Sequence, residues 1–256
     1  MARGVRGRTR VSWMARLVTE AGGVVEGRYV IAPGCVVLAR TTLAPESASL
    51  LAAMNLGASS DYGKLAELSS RITYLAFKDA ADAEASDAYL HRMATEAQHL
   101  SVFAATHVTF LIAGIAAETS MELCAHREAR IARLTTSKTK AMDEPLFRLQ
   151  GDARAQAQQR AAIEAAVTAA RDARGDLERE LANMQNPGSK ATALTFTMNL
   201  KDYHSLFIGR LPEGGNEREV REICGRMCAQ LHAAYPLIIR APEAYAGMNN
   251  GAKYGE

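Results

Sequence analysis

The sequence predicts an α+β fold in a single domain, a small mixed or antiparallel sheet flanked by long helices. Three observations carry that expectation. An Ala/Arg/Glu/Gln-rich stretch from Ala153 to Met184 sets Ile163, Val167, Ala170, Leu177, Leu181 and Met184 at helical spacing, an apolar stripe that needs a surface to bury it. Short β-branched, apolar runs recur at 28–40, 107–113 and 192–198. The 256 residues contain no internal repeat and no clear linker, and that length supports a sizeable core.

The elements follow in order. "MARGVRGRTR" holds four arginines and opens a loose basic arm over residues 1–12, ahead of a domain spanning 13–245 and a flexible tail at 246–256. "RYVIAPGCVVLAR" (28–40) reads as two short strands around Pro33-Gly34. "APESASLLAAM" (44–54) reads as a helix with Pro45 in its first turn. "SSDYGKLAELSSRITYLAF" starts as a helix and passes to a strand near 72–77. "ASDAYLHRMATEAQHL" (85–100) is helical, capped by Ser86 or Asp87. "HVTFLIA" is a strand and "GIAAETSMELCAHR" a helix. After the long helix come the turn "QNPGSK", the strand "TALTFTM", and two helices, "NLKDYHSLFIGRL" and "NEREVREICGRMCAQLHAAY", joined through "PEGG".

Composition narrows the function classes. Net charge is only +2, so basic character is local and gives no general nucleic-acid footprint. No apolar signal region follows the N-terminal arginines, and the longest apolar run, "FLIAGIAA", is far short of the ~20 residues that span a bilayer. Four cysteines without such a signal suggest free thiols in a reducing cytoplasm. No G-x-G-x-x-G, Walker A or G-x-S-x-G motif is present. Cys224, Cys228 and His232 share one helix face, but three ligands on a straight helix rarely close around one ion, so they read as packing and no metal site is expected.

Two stretches invite a chemical reading. "HREARIARLTTSKTK" (126–140) turns abruptly basic and hydroxyl-rich after an apolar helix. Asn199 and Arg210 lie eleven residues apart, close to three helical turns, so they point the same way about 16 Å apart, roughly a nucleotide's reach. Taken alone, each has an ordinary reading: a solvated basic loop, and a helix N-cap with a solvated arginine.

The ordered series is more specific. "VLART" with Thr42, then "HLSVF", "AHREARIARLTTSKTK" and "TFTMNLKDYHSLFIGRLPEGGNEREVREI" resemble the flavin-dependent thymidylate synthases over roughly residues 28 to 240. Within that family the series resembles the UMP/dUMP C5-methylases of polyoxin-type nucleoside biosynthesis. The resemblance implies the thymidylate-synthase-complementing fold and a methyltransferase using FAD, NADPH and methylenetetrahydrofolate. It also implies a homotetramer with active sites at subunit interfaces, acting on UMP or dUMP. Thr42, His99, Ser101, His126, Arg127, Asn199 and Lys201 match flavin-side positions, and Arg210 matches the arginine that grips the pyrimidine base.

The departures leave the flavin site partly kept and alter the phosphate side more. Ala125 replaces the first Arg of the signature, Ala132 and Arg133 replace an Asn-Glu pair, and Thr135 or Thr136 stands for its Ser. The next Arg aligns with Ser137 or Lys138. A phosphate-binding Arg on the long helix becomes Asn183, and a Gln becomes Glu122. The resemblance therefore implies a rebuilt phosphate seat, with Arg127, Arg133, Lys138 and Lys140 supplying charge and the hydroxyls supplying donors. Two other readings stay open: a family member that binds flavin or nucleotide without turnover, and a basic nucleic-acid-binding protein. The second is weakened by a chain with six Phe and one Trp, poor in stacking platforms.

Overall fold

The computed structural model describes residues 12–74, 82–134, 146–172, 190–212 and 218–248. The first stretch holds helix α1 (Trp13–Glu20), strands β1 (Val24–Glu26), β2 (Tyr29–Ala32) and β3 (Gly34–Arg40), a 3-10 turn at Pro45–Ser47, α2 (Ala48–Ala53) and α3 (Asp61–Tyr74). The second holds α4 (Ala83–Thr95), a 3-10 turn at Leu100–Phe103, β4 (His107–Ala116), α5 (Ala117–Cys124) and β5 (Arg130–Arg133). β6 (Phe147–Arg148), α6 (Ala153–Asp172), β7 (Ala191–Asn199), α7 (Leu200–Arg210), α8 (Arg218–Ala234) and α9 (Pro242–Ala246) complete it. The strands form two small sheets, ordered β1-β2-β6 and β3-β4-β7-β5. β1 and β2 are antiparallel and β6 joins β2 in parallel, so the first sheet is mixed. This is the α+β class the sequence predicts.

The chain divides into two compact units. The first draws on Met1–Cys35, Ile112–Glu122 and Arg133–Leu194. Its core joins Tyr29, Phe147, Leu149 and Ile163, with Ile31 and Val167 packed against them. Of the stripe read from the sequence, Ile163 of α6 is buried and Val167 partly buried against this cluster, while Leu177, Leu181 and Met184 lie outside the described residues. Polar groups fasten the same helix: Arg160 lies 4.4 Å from the Tyr29 ring centre, the Tyr29 hydroxyl donates to Glu164, and Arg160 pairs with Glu26 at 3.2 Å. Gly114 has φ +83°, and a Cβ there would meet Val18 and Val30 methyls at 2.8 Å, so only glycine fits this strand position.

The second unit draws on Val36–Leu111, Leu123–Ala132 and Thr195–Glu256. Tyr203 of α7 is fully buried; its ring packs on Phe110 and Phe207, and its hydroxyl bonds the Val108 and Phe196 carbonyls, both at 3.1 Å. This satisfied phenol locks α7 onto β4 and β7. Glu67 of α3 is buried too. It accepts from Ala58 N at 2.9 Å, Ser86 Oγ at 3.0 Å and the Arg71 guanidinium, the completeness a buried charge requires.

Some local expectations give way. α3 stays helical through Tyr74 where a strand was expected near 72–77; residues 75–77 lie outside the described residues. Its buried small and polar residues (Gly63, Ala66, Glu67, Ser70) follow helical spacing, which outweighs the β-branched end. α4 is capped one turn earlier, by Asp82, which accepts from Ala85 N at 2.7 Å. Ser86 is committed to Glu67 and Asp87 to Ser59, so neither caps. α1 and β5 were not expected at all. Among the described residues no helix is long and apolar enough to cross a membrane.

Candidate functional site

Asn199 is where a strand becomes a helix. Its extended backbone ends β7, and its Oδ1 accepts from Asp202 N at 2.9 Å while Nδ2 donates to Asp202 Oδ2 at 2.7 Å. This is the N-cap with its acidic third residue that the sequence allowed. From that cap α7 runs to Arg210, half-buried in its last turn. Lys201, Ser205 and Ile208 lie on its exposed side, and Leu200, Tyr203, His204, Leu206 and Phe207 are buried.

Backbone ties gather several predicted positions around the start of β4. Leu200 N donates to Thr106 O at 2.9 Å, fixing the head of α7 there. One residue on, His107 N donates to Thr41 Oγ1 at 2.9 Å and Thr41 N to His107 O, also at 2.9 Å. That pairing sets the exposed Thr42 beside the same turn. α7 also packs on the 3-10 turn Leu100–Phe103, which carries exposed Ser101. The segments that carry Thr42, Ser101 and Asn199 are thus tied to one another through the start of β4 and through α7. His99 follows Gln98, held at φ +51°, and its Nδ1 shares a 3.0 Å hydrogen bond with the hydroxyl of Tyr74. Nothing in the sequence points to Tyr74, twenty-five residues away.

His126 and Arg127 lie in the turn after α5, His126 half-buried and Arg127 exposed. His126 N donates to Leu123 O at 3.3 Å. Both belong to the second unit, as do all the other described flavin-side positions and Arg210.

Glu122 and Arg133, matched to the nucleotide side, belong to the first unit. Glu122 is half-buried near the end of α5. Arg133 is exposed at the end of β5, and its Nη1 donates to Ser120 Oγ at 3.2 Å. Thr135, Thr136, Ser137, Lys138, Lys140 and Asn183 lie outside the described residues.

Behind α7 a polar clasp holds the C-terminal segment. Arg240 N donates to the Tyr245 hydroxyl at 3.2 Å, and that hydroxyl meets His204 Nδ1 at 2.7 Å. Burial, then the nearby Arg240 charge, pushes the His204 pKa down to about 4. The imidazole is thus neutral and takes the Tyr245 proton at Nδ1. Cys228 Sγ donates to Arg240 O at 3.5 Å, and burial, with the Glu243 charge second, pushes its thiol up to about 12. His232 meets Ile239 O at 2.7 Å. Cys224, Cys228 and His232 are therefore packing and clasp residues. Among the described residues no group of three or more His, Cys, Asp or Glu is placed to hold a metal.

A sequence comparison with curated proteins finds no match. Among solved structures the chain is similar to thymidylate synthase X from Helicobacter pylori, solved with FAD and dUMP, at 15% identity and TM-score 0.60 over 84% of this chain and 99% of that one. It is also similar to the UMP/dUMP methylase PolB from Streptomyces cacaoi, bound with 5-Br dUMP, at 15% identity and TM-score 0.62 over 86% of this chain and 98% of that one. At that identity these two likenesses speak for the fold. The family model described as thymidylate synthase complementing protein matches residues 42–237, well over half of the chain. The chain belongs to the thymidylate synthase complementing protein family, and so to the methyltransferases of the flavin-dependent thymidylate synthase type.

Proposed function

We propose that the chain methylates C5 of a uridine monophosphate, accepting UMP and dUMP. FAD is its cofactor, methylenetetrahydrofolate the one-carbon donor and NADPH the reductant, in a homotetramer with active sites at subunit interfaces. The observation that carries this reading is the family match over residues 42–237, which contains every candidate position.

The donor set fits a flavin nucleotide. Thr42, His99, Ser101, Arg127 and Lys201 are exposed and offer hydroxyl, imidazole and cationic donors suited to phosphate and ring carbonyl oxygens. Half-buried His126 adds a second imidazole. Asn199 retains a second amide N–H beyond the one given to Asp202. These seven residues would hold the flavin. When bound, FAD, NADPH and the folate supply the hydride and the one-carbon unit.

The chain's own part is to bind and orient. Arg210 hydrogen-bonds a pyrimidine carbonyl as negative charge builds there, so that C5 becomes nucleophilic. Arg133, with Thr135, Thr136, Ser137, Lys138, Lys140 and Asn183, takes the 5′-phosphate, turning remote binding energy into alignment of C5. Glu122 offers a carboxylate to a ribose 2′-hydroxyl, which would cost about 1–3 kcal/mol if buried unpaired.

Incubation with FAD, NADPH, methylenetetrahydrofolate and either UMP or dUMP, followed by product mass, tests this directly. A gain of one methyl group on both nucleotides is expected. A kcat/KM ratio below about one in a thousand against UMP, some 4 kcal/mol, would mark a thymidylate synthase confined to dUMP. A flavin-loaded protein that methylates neither would be a binding member of the family.

A further inference from the structure

We infer that Ser120 is a positioning residue that aims Arg133 as a phosphate-monoester seat. This deepens the proposed function and rests on its nucleotide-side reading of Arg133. The geometry is a relay of two hydrogen bonds. Ser120 is fully buried, and its hydroxyl proton goes to Ala117 O at 2.6 Å, within the first turn of α5. With the proton committed there, Oγ is left as an acceptor, and Arg133 Nη1 donates to it at 3.2 Å.

The backbone at both ends is fixed. Ala117 N donates to Lys190 O at 3.2 Å, holding the helix start. Beside Arg133, Leu134 N donates to Ala193 O at 2.9 Å, and Thr192 Oγ1 donates to Leu134 O at 3.4 Å. Arg133 therefore stands on an anchored strand end, with one guanidinium N–H used by a buried hydroxyl. Among the described residues it makes no salt bridge. A guanidinium carries five N–H donors, so the others remain for an anion, and a fork held at one corner suits the planar, bidentate grip of a phosphate. A neutral hydroxyl orients the cation without neutralising it, which a carboxylate in its place would do.

The test measures binding of UMP and of uridine to the flavin-loaded protein, without folate or reductant. A chain that fails to methylate then still reports on the seat, so the two proposals fail separately. Arg133→Met should weaken UMP about a hundredfold and leave uridine unchanged, as loss of a charge-assisted phosphate contact predicts. Arg133 is exposed, so this variant does not disturb the core. Ser120→Ala should weaken UMP about fivefold in the native background and not at all in the Arg133→Met background, with flavin content unchanged. Arg133→Lys should restore part of the UMP affinity and be indifferent to Ser120. Equal UMP affinity with and without Arg133 overturns the seat. An equal loss from Ser120→Ala in both backgrounds shows a merely structural serine and overturns the positioning role.

Discussion

The flavin-side positions of the second unit and Arg133 of the first are held by different physics. On the flavin side, Thr42 and Asn199 are set by main chain and a cap, and His99 shares a side-chain hydrogen bond with Tyr74. Thr42 follows a backbone pairing of Thr41 with His107, the head of α7 is fixed by Leu200 N on Thr106 O, and Asn199 is itself the cap. On the phosphate side, Arg133 is tied through a side chain, its Nη1 donating to the Ser120 hydroxyl. Main-chain ties survive substitution of neighbouring residues. Side-chain ties need both partners to change together. The departures read from the sequence gather mainly at positions matched to the phosphate side, while the flavin-side positions are partly kept, Ala125 being the exception in the signature.

That contrast makes the scaffold of the second unit the place of largest expected effect. Glu67→Ala should cost about 3–5 kcal/mol of stability, because it leaves the Arg71 guanidinium buried beside lost partners at Ala58 N and Ser86. Denaturant unfolding measures it. A loss under about 1 kcal/mol, the worth of a surface pair, would mean that water reaches Arg71 and that this region is looser than its hydrogen bonds imply.

Next in size is a pH effect. His204 has its pKa lowered from 6.5 to about 4, so between those values the unfolded chain binds a proton that the folded one refuses. Stability from this group is fully present above pH 6.5 and is lost as pH falls towards 4, about 3 kcal/mol in all. His204→Gln should flatten that slope in melts taken across the window. An unchanged slope would assign the acid sensitivity to other groups and release α7 from the Tyr245 clasp.

Arg210→Ala separates orientation from binding. Turnover should fall by about a hundredfold or more, as for an oxyanion-hole donor, with flavin content preserved. Full rate in this variant would remove the base-gripping role from α7.

How much of this the sequence displays follows the same division. Periodicity found α6, with Ile163 and Val167 on its buried side, and it found β4, β7 and α7. Asn199 and Arg210 were legible because both lie on one helix with a countable spacing. α1 was hidden by the arginine-rich stretch before it and by its length of eight residues. β5 was hidden because "RIAR" at a sheet edge has no apolar alternation beyond Ile131. Tyr74 beside His99 and Ser120 beside Arg133 leave no sequence signal. Each contact is made across a fold, between residues whose types are unremarkable where they stand.

The smallest expected effect concerns the thiols. Cys35, Cys224 and Cys228 are buried, and Cys228 is held protonated by its surroundings, which raise its pKa to about 12. A thiolate is the nucleophilic form, so a thiol kept neutral is inert. Cys124 is exposed at the end of α5. If C5 is made nucleophilic by Arg210 polarising the ring, no cysteine is needed to attack the pyrimidine. Cys124→Ser should then leave kcat unchanged. Replacing all four by Ser or Ala should keep methylation within about tenfold, the shortfall reflecting cavities in the core. A folded quadruple variant without turnover would place a thiol in the chemistry and transfer the central role from α7 to the cysteine responsible.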